Sequence, residues 1–563
     1  MNSTPKTNGS PNSGVSRRDF IVGTVATGAV VGGGLGAFYF GYEKAVGAPL
    51  RVGVVGTGDE GCVLLGAINP SFIQVCSIAD IRPYNVWRAF HGDYSSDAAL
   101  AVRPGLMAKY GWKTEDEARR HVKVYGYENG GYEELIRQAK ADGLEGIIIA
   151  LPLHLHAPAA IAAMRAGLHV LTEKLMAHSV HECKDMARVA EQTGRLLAVG
   201  HQRHYNMLYA NAVDEIQRGT LGDLHHIRAQ WNRGNLPGHD SWQQPMPPSV
   251  KRNDPQAKVL RTKLADARKQ LYGAIGAAID LWRTRVEQIT AQLADSVVDA
   301  KKYGYVDKQI QDGSGKVVYR CPAMEELIRW RLWDRTGAGL MAELGSHQLD
   351  AASIFVAAMH GGQKQMPLNV AAAGDRPLFP PDRDVEDHVY CLLEFPAPGY
   401  DAKDSIASRK KIGVQYATIN GNGFEGYGEI VYGTKGTLIL DREQDMTIVN
   451  GPASPSSVKV SGGAAGPTMD TQASGGPAAA KSAAAGPKVS RGYTEELEHW
   501  AWCVRNPDPH NLPRCSAKVA MGDAVIALTA NTAAREGRRI EFKPEWFDVH
   551  SDETPEGVKP SIS

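Results

Sequence analysis

The segment from Leu50 to Ala67 constrains this chain more than any other. Leu50-Arg51-Val52-Gly53-Val54-Val55 is a short apolar run that reads as a buried strand. It passes directly into Gly56-Thr57-Gly58-Asp59-Glu60-Gly61, and Cys62-Val63-Leu64-Leu65-Gly66-Ala67 continues as an apolar helix. A GxGxxG between a strand and a helix marks a dinucleotide-binding turn. Its glycines let the backbone turn tightly and approach a pyrophosphate, and the helix N-terminus supplies N–H donors and a favourable dipole. That reading assigns Gly56, Thr57, Gly58, Asp59, Glu60 and Gly61 to a cofactor. A second strand, Phe72 to Ala79, ends at Asp80, 19 residues past Gly61. A carboxylate there accepts hydrogen bonds from a ribose diol and repels a 2′-phosphate, which favours NAD over NADP. Arg82, two residues on, softens that preference and leaves room for NADP.

The pattern repeats. Gly146 to Leu151 is another apolar strand, leading through Pro152 and His156 into a helix, and Leu168 to Thr172 is a strand that ends in Glu173-Lys174. Alternating strands and helices of this kind build a parallel, doubly wound sheet, and ligands bind at the carboxyl ends of its strands. Pro152, His156 and Glu173 fall at those ends and join the cofactor set.

Charge excludes other classes. Lys plus Arg total 62 and Asp plus Glu total 62, so the chain lacks the basic field a nucleic-acid binder needs. Seven cysteines without a CxxC suggest neither a zinc site nor a redox motif. The expectation is therefore no nucleic acid and no metal.

The N-terminus suggests a compartment. Ser16-Arg17-Arg18-Asp19 precedes 23 uncharged residues, Phe20 to Tyr42, of which seven are Gly. Paired arginines before a weakly apolar stretch resemble a twin-arginine export signal, with the translocation machinery as a partner and the periplasm or exterior as destination. A plain membrane anchor or a Gly-rich buried helix is the alternative. Val46-Gly47-Ala48 suits cleavage, so a cut signal and an uncut anchor both stay open. An exported enzyme has no soluble nicotinamide pool, so its cofactor would be held tightly and recycled in place.

Taken together, Gly56 to Gly61, Asp80, the Leu-Pro run ending at His156 and Glu173-Lys174 resemble the Gfo/Idh/MocA oxidoreductase family. Gly200-His201-Gln202-Arg203, Gly222 to Ala229, Gly339 to Asp350 and Gly433 to Leu438 continue the likeness. It implies an α/β fold: an N-terminal Rossmann domain followed by an α/β domain with a large, open, mostly antiparallel sheet that packs in homo-oligomers. It also implies an NAD(P)-dependent oxidoreductase acting on a sugar or polyol. The family's catalytic lysine maps to Lys174, its acidic residue to Glu343 and its histidine to His347. Glu343 and His347 are four apart on an expected helix and share a face. Lys174 would take a hydroxyl proton as hydride leaves, His347 would bond the same oxygen, and Glu343 would orient one of them. Relatives usually carry Pro after the lysine, where this chain has Leu175. Gln202 is placed with the cofactor. Arg203, His204, Tyr205, Trp231, Arg233 and Arg331 are placed with the substrate, because aromatic faces beside such donors suit a polyhydroxylated ring. Two other readings stay open: an NAD-dependent glycoside-cleaving enzyme or epimerase that oxidises transiently, and an inactive sugar-binding or assembly protein.

The expected layout is a signal or anchor over 1–48, the Rossmann domain over 49–175, the second domain over 176–548 and a tail over 549–563. Residues 241–325 are a helical insertion whose apolar stripe, from Leu260 to Val297, needs a partner in the same chain, in a neighbour or at the site's mouth. Residues 451–490 hold 29 Gly, Ala, Pro or Ser in 40, too little apolar surface to order a core, and are expected to be a disordered loop.

Overall fold

The computed structural model describes residues 40, 42, 47–251, 254, 256, 258–450 and 491–562, together with the backbone of 456–463 and 466–474. The paired arginines and most of the expected signal lie outside the described residues.

Six parallel strands form the first sheet: β1 (Leu50–Val55), β2 (Ile73–Ala79), β3 (Lys123–Tyr125), β4 (Gly146–Ile149), β5 (His169–Glu173) and β6 (Leu197–Gly200), in the order β3-β2-β1-β4-β5-β6. Helices cover both faces, so the strands read as continuous apolar runs; Val52, Val54, Ile147 and Ile148 are all fully buried. The reversal of strand order between β1 and β4 opens the crevice where a doubly wound sheet binds its ligand.

The second sheet begins with β7 (Leu224–Asn232). A small hairpin of β8 (Lys308–Gln311) and β9 (Val317–Cys321) stands apart. The sheet continues with β10 (Asn369–Asp375), β11 (His388–Pro396), β12 (Lys411–Ile419), β13 (Tyr427–Gly433), β14 (Gly436–Asp441), β15 (Asp445–Asn450), β16 (Ser456–Gly463), β17 (Gly466–Ser474) and β18 (Arg539–Glu541). Its pairings are antiparallel except that β12 runs parallel to β7. The helix Ser346–Met359 packs on β7 and carries the site's second half. The helix Ala517–Glu536 touches that helix, β10 and the Rossmann helix Val180–Thr193, and so ties the two sheets together.

One expectation changes and two open points gain detail. Strands β16 and β17 lie inside the stretch expected to be a disordered loop. Their backbones continue the hydrogen-bonded ladder from β15, which does not require a buried side-chain face. The rest of 451–490 lies outside the described residues. The 549–563 tail is also bound. Lys184 Nζ donates to the carbonyls of Glu545, Ser551 and Glu553, Arg188 donates to those of Val549, Ser551 and Ile562, and Asp185 accepts from Ser561 and Ile562.

The insertion forms two antiparallel helices, Val259–Gly273 and Ala277–Ala294, broken at Gly276, where φ is +60°. Its partner is the Rossmann domain of the same chain, because Ala277–Ala294 lies on the helix Pro83–His91. Polar groups make that contact. Gln288 accepts from Tyr94 N and donates to Asp93, and Asp295 accepts from Arg82 and from Tyr84 N. Ile275 and Val297 of the expected stripe are exposed.

Candidate active site

The dinucleotide turn is built by close approach. Gly56 has φ +80°, and a Cβ on it would stand 2.3 Å from Ala150 O; one on Gly61 would stand 1.9 Å from Gly56 O. A Cβ on Gly58 would meet nothing nearer than 3.9 Å, so the backbone there faces open space of the kind a diphosphate needs. Asp80 closes the other side. Its carboxylate accepts from Thr57 N at 2.8 Å, Arg82 N at 2.8 Å and Asn85 Nδ2 at 3.0 Å. That leaves acceptor capacity for a ribose hydroxyl. These residues fit an NAD-type dinucleotide.

The two acids at the helix start are offset. Asp59 pairs with Arg88 at 2.7 Å. Glu60 is held with Tyr493 and feels the charges of Lys174, Arg491 and Arg331. Burial raises the Glu60 and Glu173 carboxyls, and Glu60 raises Glu173 further. Arg82 is fixed by Asp295 of the insertion, at 2.9 Å, and the buried Tyr305 of the insertion stacks edge-on with His154. The insertion thus walls the end of the crevice nearest Asp80.

At the carboxyl end of β5 the second half of the site converges. Lys174 Nζ donates to Glu343 O at 2.8 Å, and the Lys174–Leu175 peptide is cis. Glu343 does not sit in a regular α-turn: Met341–Gly345 is a π-helical turn that leads into Ser346–Met359, a device frequent at functional sites. Arg331 Nε donates to Glu343 Oε1 at 2.6 Å. Burial alone would raise the Glu343 carboxyl, but Arg331, Lys174 and Arg233 outweigh it and hold it at about 2, so Glu343 is an anion rather than a proton acceptor near neutrality. His347 lies 5.3 Å, ring to ring, from Trp231, which stacks on Tyr427 at 4.6 Å. Burial first, then Lys174 and Arg203, push the His347 imidazole well below its usual range, so it is neutral. Lys174, Glu343, His347, Trp231, Arg233 and Arg331 therefore share one cleft.

Four expected site residues turn elsewhere. His156 is buried between the carbonyls of Leu151 and Leu175, at 2.9 Å from each, and braces the Lys174 loop instead of facing a cofactor. Arg203 is buried, donating to Glu443, Glu429 and His347 O, and so fixes the helix that carries His347. Tyr205 bonds His499 and accepts from Arg514 N. His204 bonds Asp350 at 2.9 Å. Gln202 is buried at the head of this turn, and Pro152 caps the turn before His156.

Sequence reasoning missed Asn85, Arg88, Asp295, Arg491 and Tyr493. Arg491 and Tyr493 had one available signal, the glycine between them. Gly492 has φ +106°, and a Cβ on it would stand 2.1 Å from Gln202 O.

Comparison with known proteins bears on the Rossmann unit and the fold. Residues 50–201 match the model of the Gfo/Idh/MocA family, described as an oxidoreductase family with an NAD-binding Rossmann fold. A glycosyl hydrolase family 109 protein of Stenotrophomonas maltophilia is 28% identical over 188 residues, which is 33% of this chain and 36% of the relative. A 1-carboxy-3-chloro-3,4-dihydroxycyclohexa-1,5-diene dehydrogenase of Comamonas testosteroni is 26% identical over 185 residues, 32% of this chain and 37% of the relative. The chain thus spans little more than a third of these relatives. Among solved structures, an inositol dehydrogenase homolog from Azotobacter vinelandii, complexed with NAD+, superposes with a TM-score of 0.53 at 14% identity, covering 89% of this chain and 99% of that one; that likeness concerns the fold. Residues 50–201 thus resemble the NAD-binding Rossmann unit of the Gfo/Idh/MocA oxidoreductase family.

Proposed function

We propose that this protein transfers hydride between a tightly held NAD and a carbinol carbon of a sugar or polyol. The observation that carries the reading is the meeting of Lys174, Glu343, His347, Arg331, Arg233 and Trp231 at the carboxyl end of β5, beside the dinucleotide turn. NAD supplies the hydride acceptor or donor. The chain's own residues do the rest. Lys174, anchored on Glu343 O, takes the hydroxyl proton; neutral His347 accepts a hydrogen bond from the same or the adjacent hydroxyl. Glu343 stays ionised and presents acceptors to further hydroxyls, while Arg331 and Arg233 donate and Trp231 supplies a flat apolar face. The insertion's hold on Arg82 supports slow cofactor release and recycling in place.

Export through the twin-arginine route accompanies this reading. Phe40 and Tyr42, at the end of the uncharged stretch, are buried in the core, and Tyr42 Oη donates to Glu498 at 2.7 Å, which favours retention of that stretch after export. Subunits would associate through the open sheet, where Tyr390 and Leu392 of β11 are exposed. The likeness to glycosyl hydrolase family 109 proteins favours a second reading, in which transient oxidation assists cleavage of a glycoside.

The test is to denature natively purified protein and identify the released dinucleotide, then to assay a panel of sugars and polyols with the wild type and Lys174→Ala. Bound NAD with turnover lowered 100- to 10,000-fold in the variant is expected, the usual contribution of a proton-transfer group. Turnover unchanged by the substitution refutes the assignment of Lys174. Glycoside cleavage without net NADH selects the second reading.

A further inference from the structure

Behind the cleft, side chains from three distant segments meet in the interior. His201 follows β6, Asp350 lies on the helix Ser346–Met359, and Cys515 and Asp523 lie before and within the helix Ala517–Glu536. Each of the four is 1% exposed. His201, Cys515 and Asp523 offer ligand atoms within 4.8 Å of one another, and His204, Asp350 and Asp523 form a second such group. The backbone holds the segments in place: Val199 N donates to Cys515 O at 3.1 Å, and Ala198 pairs with Ser516.

The fold leaves these atoms incompletely satisfied. Among the described residues His201 Nε2 and Asp523 Oδ2 have no hydrogen-bond partner, and His201 Nδ1 and Asp350 Oδ2 have only each other. His201 Nδ1 stands 3.5 Å from Asp350 Oδ2. The other carboxylate oxygens are taken, Asp350 Oδ1 by His204 and Asp523 Oδ1 by the Lys364 ammonium. A buried polar atom without a partner is costly, so His201 Nε2 and Asp523 Oδ2 beside the Cys515 thiol call for an occupant.

Charge and donor type say which. Asp350, Asp523 and a Cys515 thiolate sum to three negative charges, and Lys364 returns one. A divalent cation brings the total to zero. Imidazole, thiolate and carboxylate together suit zinc, whereas magnesium and calcium prefer oxygen donors alone. Zinc bonds of about 2.0–2.3 Å place tetrahedral ligand atoms roughly 3.3–3.8 Å apart; His201, Cys515 and Asp523 lie within 4.8 Å of one another and would close by about an ångström, while Asp350 reaches the group through His201 Nδ1. We propose that His201, Asp350, Cys515 and Asp523 hold one zinc ion, a structural site that fastens the helix Ala517–Glu536 to the end of β6. His204 orients Asp350 from outside, and Lys364 does the same for Asp523. Cysteine spacing gives no sign of such a site, because only one of the ligands is a cysteine and the four come from separate segments.

The test is metal analysis of the full chain purified without chelators. About one zinc per chain is expected, falling at least fivefold in Cys515→Ser and in His201→Gln and unchanged in Cys391→Ser. Loading with cobalt(II) instead should give an intense thiolate-to-cobalt band in the near ultraviolet that Cys515→Ser abolishes. An unmodified chain that carries no stoichiometric metal and shows no such band after cobalt loading overturns the proposal, and so does zinc content that Cys515→Ser leaves unchanged. Should the variants fail to fold, the cobalt band of the unmodified chain decides alone.

Discussion

Asp295→Ala tests whether the insertion governs cofactor affinity. Asp295 is fully buried and receives Arg82 at 2.9 Å and Tyr84 N at 3.0 Å, while the Arg82 side chain is 13% exposed. Removing one partner of a buried pair costs about 3–5 kcal/mol, because the other charge is left without compensation. The chain escapes much of that cost by releasing the insertion from the helix Pro83–His91, or by letting Arg82 swing onto Asp80, the proposed acceptor for the ribose. Either route weakens dinucleotide binding. If about 2 kcal/mol of the penalty is coupled to binding, affinity for NADH falls roughly 30-fold. The assay is fluorescence titration of the stripped protein with NADH, alongside the dinucleotide content of protein as purified. Arg283→Ala, which breaks an exposed pair with Asp280 on the same helix, serves as the control and should change affinity less than threefold. A folded Asp295→Ala variant that binds NADH within threefold of the wild type refutes the coupling.

Three further outcomes follow from the same geometry. In Arg331→Ala, Glu343 loses the first of the cations that hold it at about 2, so its protonation moves up toward the ordinary range. The acidic limb of the kcat/KM profile should shift to higher pH with it, and an unmoved limb contradicts the role given to Glu343. Burial lowers His499 to about 4. Its unfolded form gains a proton first as pH falls below about 6.5, so the contribution is full above that pH and is lost as pH drops toward 4, by at most about 3 kcal/mol. Urea titrations at pH 7 and pH 5 should diverge less in a folded His499→Gln variant than in the wild type. Tyr42→Phe leaves a Glu498 oxygen without its donor and should cost about 1–3 kcal/mol in the same urea assay; no loss of stability would mean that the end of the N-terminal stretch is not part of the core.

The Rossmann sheet was legible because its signals are local and independent of one another. Strand, turn and helix follow in sequence at Leu50–Ala67, and Asp80 comes at the end of the next strand. The second half of the site was only partly legible, and the failures share a cause. Gln202, Arg203, His204 and Tyr205 read as a cluster of donors, but they form a 3₁₀ turn, in which successive side chains point about 120° apart. Four consecutive residues there cannot all face one ligand. Arg203 goes to Glu443 and Glu429, Tyr205 to His499, and His204 to Asp350, while the cleft takes its donors from Arg233 and Arg331 on other segments.

Periodicity misled in a related way at Glu343. An α-helical spacing of four predicts that Glu343 and His347 lie on one face, and they do border one cleft, but through a π-turn that adds a residue before the regular helix begins. The insertion shows the limit of counting apolar residues. Its stripe from Leu260 to Val297 pointed to a buried face without naming a partner, whereas the helix Ala277–Ala294 and its end meet the Rossmann domain through Gln288 and Asp295, polar residues that an amphipathic pattern assigns to solvent, and the apolar contact with Ile81 comes from Val298 to Tyr305 beyond the stripe. Buried ion pairs of this type contribute little net stability compared with apolar contacts of equal size. They impose one geometry, though, because Arg82 finds a full partner only when Asp295 is seated. Under the proposed function, in which the dinucleotide is kept through many turnovers, a polar latch holds this arrangement in register, which a sliding apolar face would not do.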